Sequence, residues 1–262
     1  MTNTRLHKLR QASKLKQLYK ATSLFAIALV LGVTSLTALI NPNAMAYPGE
    51  LDHSFHTNLG SGFNNLLMVN AVQPDGKIIV GGLFTTFNGN VQNRLIRLNP
   101  DGSKDTSFDI GIDGFNDQIR AIALQADGKI LVGGFFTQYK STNYKYMVRL
   151  NTDGSVDPTF SVGIGFNASP RSIAILPDGK IFVGGQFNIF NSLPQKYLIK
   201  LNTDGSKDTS FEIGSGFGNT INNISIQPDG KLIAGGYFTT FNGNVQNRLI
   251  RLNPDGSKDT SF

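Results

Sequence analysis

The residue types able to do chemistry are few in this chain, and they recur at a fixed spacing. The turn Asn99-Pro100-Asp101-Gly102-Ser103-Lys104-Asp105, echoed at Asp153, Asp204 and Asp255, matches half of a D-x-N-x-D-G-x-x-D calcium loop. Such a loop works by converging several carboxylate and carbonyl oxygens on one cation. The position of the first ligand is held by Arg97, with Arg149, Lys200 and Arg251 in the copies. The twelfth position holds Phe108, Phe160, Phe211 and Phe262. A cation at the first ligand position repels the metal, so the segment reads as a hairpin turn with Asx-type hydrogen bonds. No metal site and no cofactor are expected. Histidine occurs only at His7, His53 and His56, and Cys is absent. These counts exclude a His-rich metal centre, a Cys-ligated zinc or iron–sulfur site and a Cys nucleophile, and leave no His base inside the later sequence. His53 and His56 offer too few ligands for a metal and read as exposed residues near a terminal strand. Asp109, Asp113, Asp117 and Glu212 remain for carboxylate chemistry, without a spacing that pairs any two. No catalytic residue is assigned. The glycine-rich Gly111-Ile112-Asp113-Gly114 lacks the following helix that phosphate binding requires.

Positions where the repeating pattern departs from itself are more informative. One aligned position is occupied by Met68, Arg120, Arg171 and Asn222. Arg120 and Arg171, at the start of a strand, are candidates for meeting an anionic ligand at the mouth of a central channel. A second variable segment reads Asn88-Gly89-Asn90-Val91-Gln92-Asn93 in one copy and carries Tyr139, Lys140, Tyr144, Lys145 and Tyr146 in the next. That aromatic and basic mixture suits a sugar, an anion or a partner surface. Tyr144, Lys145 and Tyr146 are therefore candidate ligand-binding residues. The chain has no Trp to stack on a sugar ring.

The elements that must position these residues follow from an internal repeat. Asp-Gly-Lys recurs at Asp75, Asp127, Asp178 and Asp229, and a Gly-Gly pair at Gly81, Gly133, Gly184 and Gly235. Each unit closes on Asp-x-x-Phe, at Phe108, Phe160, Phe211 and Phe262. Four units result, over residues 56–108, 109–160, 161–211 and 212–262, plus a lone copy of the closing motif at Leu51-Asp52-His53-Ser54-Phe55. Within a unit, a strand such as Ile119–Gln125 leads through Ala-Asp-Gly into the apolar run Lys129–Phe136. Asp-Gly supplies the positive φ of a tight hairpin. An almost continuously apolar strand suits a sheet covered on both faces. A third strand, Met147–Asn151, and a short fourth around Asp157–Phe160 complete the unit. Four-stranded antiparallel units of this length, stacked face to face, predict an all-β β-propeller of four blades, with a stacked solenoid of sheets as the alternative. Residues 47–55 are expected to add a closing outer strand to the last blade, which hides its edge. A closed four-blade monomer is the expectation. The alternative is a partial arc, which a homodimer would complete as an eight-bladed ring.

The amino-terminal 46 residues read differently. Arg5, Lys8, Arg10, Lys14, Lys16 and Lys20 precede the apolar run Ala21–Ile40, and Ala44-Met45-Ala46 precedes Tyr47. This order is that of a secretory signal peptide over residues 1–46. An uncleaved membrane anchor is the alternative. Those six cations account for the formal charge of +6, since no acidic residue lies among them. The remaining chain is formally neutral, so its basicity does not indicate nucleic-acid binding. Residues 47–262 are expected to be exported to the periplasm, cell surface or exterior.

The segments Gln73–Gly82, Asn93–Ser103 and Asp105–Phe108, with their three further copies, resemble the delta-60 repeat of bacterial β-propellers. That resemblance spans residues 48–262 and implies a fold without catalytic residues to transfer. It leads to an exported, non-catalytic binding or surface module for a protein or glycan. The alternatives are a propeller-type lyase or glycan-active enzyme using carboxylate and Arg chemistry, and a structural fragment of a larger repeat protein.

Overall fold

The computed structural model describes residues 52–262. The leader, residues 1–46, and residues 47–51 lie outside the described residues. A short helix, α1 (His53–Leu59), precedes four successive strand sets. The first set is β1 (Leu67–Val72), β2 (Ile78–Gly82), β3 (Thr86–Phe87), β4 (Asn90–Val91) and β5 (Leu95–Leu98). The second is β6 (Ile119–Leu124), β7 (Ile130–Gly134), β8 (Gln138–Tyr139), β9 (Thr142–Asn143) and β10 (Met147–Leu150). The third is β11 (Pro170–Ile175), β12 (Ile181–Gly185), β13 (Ile189–Phe190), β14 (Leu193–Pro194) and β15 (Leu198–Leu201). The fourth is β16 (Ile221–Ile226), β17 (Leu232–Gly236), β18 (Thr240–Phe241), β19 (Asn244–Val245) and β20 (Leu249–Leu252).

Each unit is a three-stranded antiparallel sheet with the Gly-Gly strand in the middle, β1-β2-β5 and its three equivalents, plus a two-stranded hairpin. The Asp-Gly turns do what their residues require. Gly76 has φ +82°, its N–H donates to the Gln73 carbonyl, and Asp75 Oδ1 accepts the Lys77 N–H. The fourth strand does not form. One isolated bridge, such as Leu150 to Val156, stands in its place, and Asp-x-x-Phe folds as a turn. The reason is local: Asp157 Oδ1 accepts both the Thr159 N–H and the Thr159 hydroxyl, which curls the chain instead of extending it. Of the closing strand expected at residues 47–55, residues 47–51 lie outside the described residues, and residues 53–55 are helical. Residues 53–55 open α1, with Asp52 immediately before them where a helix N-cap stands.

The first strands β1, β6, β11 and β16 lie side by side along the inner rim, each packed on the next. The core is built at the junctions. Ile79, Leu95 and Phe108 of the first unit share a cluster with Ile119, Val132 and Val148 of the second. Leu131 and Met147 do the same with the third unit, and Phe182 and Leu198 with the fourth. The first strand of each following unit can approach the middle strand before it because Gly81, Gly133 and Gly184 carry no side chain; a Cβ on Gly184 would stand 2.8 Å from Ile221 Cγ2. The first and fourth units make no comparable junction with each other. The expected closed monomer is therefore replaced by an arc. Leu67 is 48% exposed whereas its equivalents Ile119 and Ile221 are fully buried, so the side of unit one has no neighbour.

Candidate functional site

The recurrent acidic turn is a clamp. Asp105 Oδ2 lies 2.7 Å from Arg97 Nε and 2.9 Å from Lys77 Nζ, and its other oxygen takes the Ser107 N–H and hydroxyl. Asp157, Asp208 and Asp259 repeat the arrangement with Lys129 and Arg149, Lys180 and Lys200, and Lys231 and Arg251. Burial alone would raise the Asp157 carboxyl. The Thr159 hydrogen bonds and the Lys129 and Arg149 charges outweigh it and hold the group well below the usual carboxylate range. The cation that stands where calcium would need a ligand is thus the partner of the carboxylate. Arg97 also reaches the next unit, its Nη1 donating to the Thr152 carbonyl at 2.7 Å, and its guanidinium lies 4.8 Å from the Phe108 ring centroid.

Arg120 and Arg171 come together. Both occupy the position at which the pairing of the first and middle strands slips in every unit, a β-bulge shared with Met68 and Asn222. A bulge leaves its residue out of the ladder and re-aims the side chain. Arg120 Nε donates to Gln118 Oε1 at 2.9 Å, and the guanidinium lies 5.7 Å from the Phe135 ring centroid. Arg171 Nη1 donates to Asn222 Oδ1 at 2.6 Å, while its buried Nε has no hydrogen-bond partner among the described residues. Burial first, then the Arg120 charge, push the Arg171 guanidinium below its ordinary value, and Tyr237 acts in the opposite sense. Neither arginine joins any ion pair among the described residues. Phe135 and Tyr237 were not among the sequence candidates. The signal was present, because the residue after each Gly-Gly pair varies as Leu83, Phe135, Gln186 and Tyr237.

The second group of candidates separates. Tyr144 and Lys145 line an inter-unit groove of about 310 Å³ with Phe160, Val162 and Ile164. Tyr144 stands where Gln92 and Gln195 donate to the carbonyl of the residue three places on, and its ring packs on the second unit's core instead. Tyr146 does not line that groove. It sits at φ +69° and packs into the next junction's cluster, where its N–H donates to Phe136 and its carbonyl accepts from Gly134. Similar grooves lie at the other junctions, beside Lys104 and Ile112 and beside Lys196 and Glu212. The remaining carboxylates hold loops: Asp109 accepts the Gly111 N–H, Asp113 the Ser141 hydroxyl and Asp117 the Gln118 N–H.

Four antiparallel sheet units arranged along a common inner rim, each clamped by the same acidic turn, define a β-propeller repeat protein. The chain belongs to the family described as domain of unknown function (DUF5122) beta-propeller, matched over residues 73–108, 125–160, 176–211 and 227–262. This is the delta-60 type of repeat, in four copies. No curated protein matches the chain. Among solved structures it is similar to the WD40 β-propeller domain of Doa1, at 15% identity over 72% of this chain and 50% of that one, with a TM-score of 0.47. A protein of unknown function from Bacteroides caccae is similar at 15% identity, 73% and 65% coverage and a TM-score of 0.39. PorZ, a surface component of the type-IX secretion system of Porphyromonas gingivalis, is similar at 19% identity, 82% and 30% coverage and a TM-score of 0.41. The chain thus spans half of the first of these structures.

Proposed function

We propose that the chain is an exported, non-catalytic binding module whose inner face takes an anionic group carried by a protein or glycan partner. The observation that carries this reading is the pair Arg120 and Arg171, two neighbouring guanidiniums that share the inner rim without a carboxylate. Like charges held together with a buried, unsatisfied Nε favour an incoming anion, which relieves the repulsion and accepts charge-assisted hydrogen bonds. Phe135 and Tyr237 flank the arginines and add aromatic surface. The basic segment, apolar run and Ala44-Met45-Ala46 support export. Calorimetric titration with heparin, a polyanionic glycan, against neutral dextran tests the reading. Heparin is expected to bind and dextran not to, and Arg120→Ala with Arg171→Ala is expected to weaken heparin binding about tenfold or more while the melting temperature is kept. Heparin binding unchanged in the double variant overturns this site and shifts attention to the Tyr144 and Lys145 groove.

A further inference from the structure

The third long strand of each unit, β5, β10, β15 or β20, is the outermost of its sheet, because the fourth strand does not form. In three units a side chain closes that outer edge. Gln92 Nε2 donates to the Leu95 carbonyl at 2.5 Å, and Gln195 and Gln246 do the same to Leu198 and Leu249. The carboxamide takes the place of the peptide group that a neighbouring strand would present. A lysine accompanies it. Lys258 Nζ donates to Gln246 Oε1 at 2.6 Å, and Lys104 and Lys207 line the grooves beside Gln92 and Gln195. Unit two lacks both residues: Tyr144 replaces the glutamine and Val156 the lysine, and both pack back on the second unit's core.

The edge of β10 is therefore left open. The Gly134 N–H donates to the Tyr146 carbonyl, which sets the phase of the ladder, so the Met147 N–H and carbonyl point away from β7. Nothing among the described residues donates to that carbonyl. The groove of about 310 Å³ beside it reaches the strand itself, since Met147 and Val148 line it. Their equivalents Leu95, Ile96, Leu198 and Ile199 line neither of the grooves beside Gln92 and Gln195. We infer that the unit-two groove is a docking site for an extended peptide segment of a partner protein, added as a strand to the outer edge of β10. Its backbone N–H supplies what the other three units take from glutamine. Met147 is buried, and a carbonyl left there without a donor costs stability that a docked strand recovers. A strand also meets the Met147 N–H, which a lone carboxamide donor does not, and pockets beside the edge select its side chains. Val162 and the exposed Ile164 offer apolar contact, and Lys145 is an exposed cation in the same lining. The fitting segment thus alternates apolar with acidic residues, whose side chains point to opposite faces of a strand. None of these contacts uses Arg120 or Arg171, so the inference stands independently of the anionic ligand.

The methionines supply the probe. Met147 lines the groove, while Met68 holds the position on the inner rim equivalent to Arg120 and Arg171. The full chain, isotope-labelled at its methionine methyl groups and kept dissolved in detergent, is titrated with acetyl-Val-Asp-Val-Asp-Val-amide and followed by nuclear magnetic resonance. The Met147 methyl signal is expected to shift to saturation and the Met68 signal to stay. The same peptide methylated on its backbone nitrogens keeps its side chains but not its N–H groups, and is expected to bind about tenfold more weakly or less. Tyr144→Gln with Val156→Lys gives unit two the residues of the other units, so the melting temperature is kept and the peptide-induced shift is lost. Where that variant fails to fold, the comparison of the two peptides on the wild type decides. A wild-type Met147 signal that does not move, equal binding of the methylated peptide, or a folded double variant that binds as the wild type does each overturns the inference. A Met147 shift produced by chitotetraose, an N-acetylated glycan, and not by the peptide overturns it too.

Discussion

The Asp of each Asp-x-x-Phe turn has more partners than any other side chain described here, and its consequence is measurable. Asp157 neutralises Arg149, a buried guanidinium that also bonds Thr159 and the Thr203 carbonyl of the next unit. Asp157→Asn removes the charge and leaves Arg149 buried with its positive charge unmatched. A loss of about 2 kcal/mol is expected, read as a melting temperature lower by roughly 4–8 °C. The pH dependence has a definite sign. Asp105, Asp157 and Asp208 titrate lower in the folded chain than when unfolded, because the hydrogen bonds and neighbouring cations outweigh burial. The unfolded chain therefore binds more protons in acid, and stability rises with pH. The contribution is complete above the ordinary carboxylate range near about 4 and is lost progressively below about pH 5. Melting curves from pH 7 downward should show this fall, with a shallower slope for Asp157→Asn.

At the scale of elements, the four small hairpins show what the turn residues contribute. Units one and four turn on Asn-Gly, with Asn88 at φ +49° and Gly89 at φ +75°. Asn88 Oδ1 also accepts the Gly62 N–H at 2.9 Å, which ties the hairpin to the preceding loop. Unit two places Lys140 and Ser141 at the same positive φ values, where side chains are strained. Lys140→Asn with Ser141→Gly is therefore expected to stabilise the protein by about 1 kcal/mol or more, despite losing the Ser141 bond to Asp113. Urea unfolding should show a higher midpoint at unchanged slope. An unchanged or lower midpoint would show that the Lys140 bond to the Asp109 carbonyl outweighs the turn strain. The Asp-Gly turns were legible because that dipeptide acts locally, whereas the small hairpins on Asn-Gly lie in a segment that reads in the sequence as a variable loop. The fourth strand was misread because Asp-x-x-Phe has an extended-looking composition, while its side-chain hydrogen bonds to the backbone curl it.

At the scale of the molecule, stability is a sum over neighbours, since each unit buries its apolar face against the next. Units two and three have a neighbour on both sides; units one and four have one each. Amide exchange is expected to be slowest in β7 and β12. It is expected to be faster in β1 and β20 than in their equivalents β6 and β10, because β1 and β20 border the uncovered faces. Hydrogen exchange read by mass spectrometry measures this order, and uniform protection from end to end would contradict it.

The sequence alone determined the repeat, its hairpin turns and the all-β class, because these depend on residues a few positions apart and recur in every copy. It also singled out Arg120 and Arg171 as departures from the pattern, although their meeting required the packing of β6 on β11. Tyr144 and Tyr146 looked like one surface group in the chain. The backbone between them sends one ring to its own unit's core and the other to the following junction. Only the tertiary structure decided that four units form an open arc instead of a ring. Closure depends on the angle accumulated over successive junctions, a property of how whole sheets pack, to which each local sequence contributes equally and none reports separately.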